Sequence, residues 1–150
     1  MLLVKKINVS GGIVINLNLK KLLVVNQAGT SWSLAKGHVD KDETLEETAI
    51  REIYEESGIT KLRLHEKLGE YQRYALDIYG NEDQSEFKTI HIYIFSTRQN
   101  EISPEDSLNP SAKWITLEQL ENILTHKSDR YFIQSKRETI LSFLTEDHKE

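Results

Sequence analysis

Residues 37–59 read GHVDKDETLEETAIREIYEESGI, and the part from Leu45 to Ser57 decides how the chain is understood. A helix is expected from Glu43 to Ser57: no Pro or Gly interrupts it, and Gly58 supplies a left-handed stop. At about 100° per residue, Leu45, Ala49, Ile50 and Ile53 form an apolar arc. Glu56 falls inside that arc, almost in line with Leu45 and Ala49, and Glu52 lies at its edge. Glu55 sits further round on the same side as Glu52. The stripe that is apolar in the first half of the helix therefore turns acidic in the second.

Such a pattern is unfavourable on three counts. Buried carboxylates without partners lose hydration. Like charges at i, i+3 and i, i+4 repel. Acids in a last helical turn oppose the helix dipole, by up to roughly 1 kcal/mol each. A divalent cation removes all three penalties, and an oxygen-only donor set without His or Cys favours Mg²⁺ or Mn²⁺ over Zn²⁺. The plain alternative is a solvated acidic face with Arg51 paired to Glu47 and Glu55. The phase of Glu52 and Glu56 counts against it.

The chain has 150 residues, a length that suits one compact domain over 1–150. Its net charge of -5 argues against a nucleic-acid binder, which needs a basic surface. A small anionic substrate is still compatible, because a bound metal offsets local charge. With no cysteine, disulfides, thiolate metal sites and a cysteine nucleophile are excluded. The start, Met1-Leu2-Leu3-Val4-Lys5-Lys6, is too short in apolar residues for a signal peptide, and no run approaches the roughly 20 residues that span a bilayer. A cytoplasmic protein, with no membrane or nucleic-acid partner, monomeric or homodimeric, is the expectation.

Outward from the helix, Ile7–Leu17 reads as a strand in which Gly11-Gly12 mark a bulge or a close backbone approach. Lys21–Asn26 reads as its partner and Trp32–Leu34 as a short extended piece. Leu62–Leu68, Glu70–Tyr79 and Thr89–Ser96 read as strands, with a polar turn at Gly80–Glu86. Lys113–Ile115 is a short strand, Thr116 an N-cap before a helix start, and Ile133–Leu144 a last helix. Strands, helix, strands and two helices in that order predict an α/β (α+β) fold: a mixed sheet with helices on both faces.

From Gly37 to Ile59 the chain also resembles the Nudix box, G-x5-E-x7-R-E-U-x-E-E-x-G-U with U a bulky apolar residue. Gly37, Glu43, Arg51, Glu52, Ile53, Glu55, Glu56, Gly58 and Ile59 occupy its fixed positions, a far more specific signal than a lone glycine motif. The resemblance implies an α/β/α sandwich around a central mixed β-sheet and a hydrolase of acid anhydrides in phosphorus compounds. It implies that Glu52, Glu55 and Glu56 bind one to three Mg²⁺ or Mn²⁺ ions, with the Lys36 backbone carbonyl as a further ligand. Arg51 and Glu43 match a pair that braces loop and helix, holding the ligand carboxylates in place. Gly37 is expected to allow a tight turn and Gly58 the helix stop. A box glutamate or an acid from a later loop takes the proton of the attacking water. Glu52 is the first candidate for that base, and Glu86, Glu101 and Glu105 are the outside acids. Asp40 and Asp42 depart from the Glu and Gly of many members, and Asp42 needs a less usual backbone angle.

Trp32-Ser33-Leu34-Ala35-Lys36-Gly37-His38 resembles the W-x-L-P-K-G-H lead-in of the bis(5′-nucleosyl)-tetraphosphatases, the diadenosine tetraphosphate hydrolases, with Ala35 for proline. Lys88-Thr89-Ile90-His91 resembles the K-T-V-H that opens a strand in that group. The likeness makes Lys36, His38, Lys88 and His91 candidate polyphosphate contacts. Each is also an ordinary surface or strand-edge residue. Where that group stacks a tyrosine on adenine, this chain has Ala112, which removes a contact typically worth ~1–3 kcal/mol. Tyr74, Tyr79 and Tyr131 are the rings that remain as substitutes. The substrate expected is a dinucleoside polyphosphate such as diadenosine tetraphosphate. A nucleoside-triphosphate or sugar-nucleotide pyrophosphatase shares the box, and a non-catalytic binding module would usually have lost its acids.

Overall fold

The computed structural model describes residues 3–27, 31–77, 79–102 and 111–145. Two strands are apolar on both faces, and they form the middle of the sheet. In β1 (Lys5–Asn16), Val9, Ile13 and Ile15 face one way and Val14 the other. In β6 (Glu82–Thr97), Ile90, Ile92 and Ile94 oppose Tyr93 and Phe95. β1 and β6 run parallel in unbroken register from Lys5↔Glu86 to Asn16↔Thr97.

Around this pair the sheet reads β3-β2-β1-β6-β5, with β4 and β7 adding to β1 and β2. The flanking strands are β2 (Lys21–Gln27), β3 (Ser31–Ser33), β4 (Ala35–His38), β5 (Arg63–Leu76) and β7 (Ser111–Ile115). Their pairings are antiparallel, so the sheet is mixed, as expected. Helix α1 (Leu45–Ser57) covers the face of Val14 and Phe95. Helices α2 (Leu117–Ile123), α3 (Lys127–Ser135) and α4 (Arg137–Thr145) cover the face of Ile13 and Ile92. The result is the α/β/α sandwich. No helix among the described residues is long and apolar enough to cross a membrane.

Close approach, not a bulge, explains Gly11 and Gly12. Gly11 pairs with Lys36, and a Cβ there would overlap the Ala35 carbonyl and the Lys36 side chain. β1 exchanges β4 for β2 as its neighbour along this stretch; β4 lies tight against Gly11, and the Phe95 ring of β6 lies tight against Gly12.

Four boundaries differ from the sequence expectation. Thr44 caps α1 through a reciprocal bond pair with Glu47, which leaves Glu43 ahead of the helix and not in it. The two strands expected over 62–79 are one, β5, whose register with β6 shifts at three places, including Lys67/Gly69. The turn expected at Gly80–Glu86 is narrower. The Asp77 carboxylate accepts from the Tyr79 and Asn81 amides, and β6 starts already at Glu82. Both faces of that hairpin tip are largely exposed, so no alternation of apolar residues marks it. The last helix is broken, because Lys136 at φ -107°, ψ 9° ends α3 before α4 begins.

Candidate active site

Helix α1 places its acids by phase. Glu56 is 6% exposed, buried beside the fully buried Ala49 and Ile53. The Glu52 side chain is 13% exposed and that of Glu55 45%. Ile50, expected in the apolar arc, is instead exposed, at the edge of the packed face. The helix ends at Gly58, left-handed at φ 78°, whose amide bonds the Tyr54 carbonyl.

Two of the acids reach consecutive residues of β4. A Glu56 carboxylate oxygen accepts the Lys36 amide at 3.0 Å. The Glu52 carboxylate lies against Gly37, where a Cβ would collide with it. Gly37 is therefore required by contact with an acid. Its role is not a tight turn, since it pairs with Ser10 within β4. Asp42 does take the unusual backbone angle, at φ 66°.

Arg51 gathers the remaining charges. Its Nε and Nη2 donate to the two Glu43 oxygens at 2.8 and 3.0 Å, a forked pair, and Nη2 also reaches the His38 carbonyl at 3.1 Å. Its Nη1 spans Glu52 at 2.9 Å and Glu55 at 3.3 Å. The Glu47 carboxylate belongs to the cap and not to Arg51. The Arg51 guanidinium, with the Thr48 hydroxyl, holds the Glu43 carboxyl down at about 2. Burial pushes the Glu52 carboxyl up, against the opposing pull of Arg51.

Among the described residues no three acids or imidazoles stand close enough to hold an ion. The convergence expected from sequence is partial: Glu52 and Glu56 meet β4, while Glu55 points outward and shares Arg51. The donor chemistry nevertheless suits a hard divalent cation. Every group is an oxygen, Glu56 is buried, and burial disfavours the charge of Glu52. Binding would need Glu52 and Glu55 to turn from Arg51, and Glu55 is free enough in space to do so.

On the far side of β4 lies a cavity of about 330 Å³, whose walls include Lys36, Gly37, His38, Arg73, Lys88 and His126. Lys36, His38 and Lys88 thus come together beside the box. His91 does not. It lies on the α1 face of β6, bonded to Asn8 and Lys67, whereas Lys88 faces the other layer. Of the proposed outside bases, Glu101 is exposed and lines a different cavity, with Arg98 and Gln99. Glu86 is half-buried and acts on Lys88 by its charge. Glu105 falls outside the described residues.

Sequence reasoning missed four residues here: Arg73, His126, Asp129 and Tyr71. Asp129 is fully buried, accepts the Tyr71 hydroxyl at 2.5 Å and pairs with Lys36 Nζ at 3.4 Å. Burial raises its carboxyl, but Lys36, Tyr71 and Arg73 together outweigh that and hold it below the ordinary range. Its signal was visible: Asp129, Phe132 and Ile133 fall at i, i+3 and i+4 on one helix face.

Comparison with known proteins agrees with this architecture. The family model described as NUDIX domain matches residues 6–135. A relative from Mycobacterium tuberculosis bearing the mutator-protein name MutT4 is 32% identical over 109 residues, 73% of this chain and 42% of the relative. One from Bacillus subtilis, named for 8-oxo-dGTP diphosphatase activity, is 44% identical over 61 residues, 41% of this chain and 40% of the relative. The chain thus spans about two-fifths of the length of these relatives. Among solved structures, a binary complex of the Caenorhabditis elegans Ap4A hydrolase superposes with a TM-score of 0.72. It is 22% identical, with 91% of this chain and 98% of that one covered, a likeness of fold.

Proposed function

The chain belongs to the Nudix family, and we propose that it hydrolyses a phosphoanhydride bond in a nucleoside diphosphate linked to a further group, foremost a dinucleoside polyphosphate such as diadenosine tetraphosphate. The observation that carries this is the flanking of β4. Carboxylates of Glu52 and Glu56 rest on one side of residues 36–37, and cations of Lys36, Arg73 and Lys88 line the other. Acids that could hold a metal and cations that suit phosphate oxygens thus both border β4.

Glu52, Glu55, Glu56 and the Lys36 carbonyl are the groups that would hold Mg²⁺ or Mn²⁺, which supplies charge neutralisation and an acidified water. Glu52 is the candidate base. Its burial raises its affinity for a proton. Arg51 and Glu43 are positioning residues, tying the loop after β4 to α1 through the His38 carbonyl.

A nucleoside-triphosphate pyrophosphatase is the second reading, favoured by the 8-oxo-dGTP diphosphatase name of the Bacillus subtilis relative and by Ala112. Ala112 packs with the α1-side core and offers no ring. Of the substitutes, Tyr74 stacks edge-on against Phe87, and Tyr79 and Tyr131 are exposed. A nucleotide panel with Mg²⁺, both products identified, separates the two. AMP with ATP from diadenosine tetraphosphate supports the first, and monophosphate with pyrophosphate from a triphosphate the second. No turnover of any nucleotide, with or without Mn²⁺, would sink both. Removing divalent ions with EDTA should abolish turnover, and added Mg²⁺ should restore it.

A further inference from the structure

We infer that Asp129 is a positioning residue for the box acids: from α3 it grips the Lys36 side chain, and that grip sets the Lys36 peptide against Glu56. That the box uses this positioning rests on the metal-dependent hydrolase reading, whereas the grip itself rests on the contacts of Lys36.

Lys36 belongs to both layers of the fold. Its amide donates to the Glu56 carboxylate of α1 at 3.0 Å. Its ammonium reaches the other way, donating to Ser33 Oγ at 2.5 Å and meeting Asp129 Oδ2 of α3 at 3.4 Å. A strand residue directs its N–H and its C=O to the same edge. The Lys36 carbonyl therefore shares the edge of β4 that Glu56 occupies, and a rotation of this one residue moves both groups.

Within the sheet that rotation is weakly held. β4 is four residues long, and its Lys36 stands opposite Gly11 of β1. Opposed side chains normally steady one another across a sheet, but Gly11 has none to offer. The Lys36 side chain must be fixed at its tip instead. The Ser33 hydroxyl donates to the Leu34 carbonyl, so it is left to accept from Lys36. Asp129 is fixed in turn, because its Oδ1 accepts the Tyr71 hydroxyl at 2.5 Å while Oδ2 faces Lys36. Lys36 is 8% exposed and Asp129 0%. A pair buried so deeply adds little net stability over apolar side chains of the same size, yet neither partner can leave without stranding the other's charge. Its effect is to fix geometry, with two of the ammonium's three donors directed into the fold.

Asp129→Asn tests the grip, because the amide keeps the shape and can still accept from Tyr71 but carries no charge for Lys36. In the metal-free protein, hydrogen exchange at the Lys36 amide should accelerate at least tenfold while that of Ile53 in α1 stays within twofold. Unchanged exchange at Lys36 overturns the inference. Affinity for Mn²⁺, followed by electron paramagnetic resonance, should fall at least fivefold. Lys36→Met breaks the pair from its other end, keeps both backbone groups, and stands in should Asp129→Asn not fold. It should match Asp129→Asn, and the double variant should bind Mn²⁺ no more weakly than either single one. Losses that multiply in the double variant would mean independent effects and overturn the grip. Ile133→Val loosens the buried face of α3 at a residue outside the Lys36 contacts. It should lower Tm yet hold Mn²⁺ affinity within twofold, and an equal loss there would reduce Asp129 to general support of the fold. With a nucleotide that the protein turns over, Asp129→Asn should lower kcat at least fivefold and leave KM within twofold. A change confined to KM would place the pair in substrate binding and overturn the positioning role. A parent protein that binds no Mn²⁺ sinks the metal reading, and amide exchange then decides the grip on its own.

Discussion

Gly37 is fixed by what it touches. The Glu52 carboxylate fills the space where a Cβ would go, so Gly37→Ala must push the acid from β4. Overpacking of this kind costs about 1–3 kcal/mol. Turnover should fall at least tenfold with an intact fold, and thermal denaturation alongside steady-state kinetics checks both. Glu56→Gln separates charge from shape. The amide oxygen can still accept the Lys36 amide, so the fold should be as stable or more so, yet most turnover should vanish. Full activity in that variant would contradict its role as a ligand. At this scale the box acids were legible because helical phase reports burial: Glu56 in the apolar arc is buried, and Asp129 obeys the same rule. Arg73 was not legible. Its strand has polar residues on both faces, and only pairing with β6 sets it beside Lys88.

At the scale of elements, α1 carries a conflict between stability and use. Its first turn is well made, with the Thr44–Glu47 capping box and acids facing the positive end of the helix. Its last turn has no basic residue, only acids against the negative end. The cap and the packing of Ala49 and Ile53 must therefore hold a helix whose far end is electrostatically unfavourable. Thr44→Ala should cost about 1 kcal/mol and lower Tm by roughly 2–4 °C in a chain of this size. A Tm within error of the parent would show that packing alone secures the helix. The helix was readable because its period, cap and stop agree. The β5–β6 hairpin was readable only in its buried half. Thr89–Ser96 alternates between two cores, whereas Glu82–Ser85 has no core to alternate toward. The break at Lys136 leaves the apolar stripe of α3 and α4 nearly continuous, so periodicity predicts one helix.

Over the whole molecule an acidic chain, net -5, keeps a local excess of positive charge where its layers meet. The α2–α4 layer is tied to β4 there through Asp129 and Lys36, and to β5 through Tyr71. His126 at the start of α3 feels that excess. Burial and then Arg73, with Lys36 and Lys88 adding and Asp129 opposing, push its imidazole down to about 4 from an ordinary 6.5. Between those two values the unfolded chain binds the proton that the folded chain refuses, so stability falls as pH falls through that window. Asp129, held below its ordinary range, adds a loss lower still, as pH drops through its folded value. Glu52 acts the other way, because burial raises its carboxyl and protonation favours the fold. Urea midpoints measured from pH 7 to 4 should therefore decline, and His126→Gln should flatten the part of the decline below pH 6.5. An identical slope in that variant would place the acid sensitivity elsewhere.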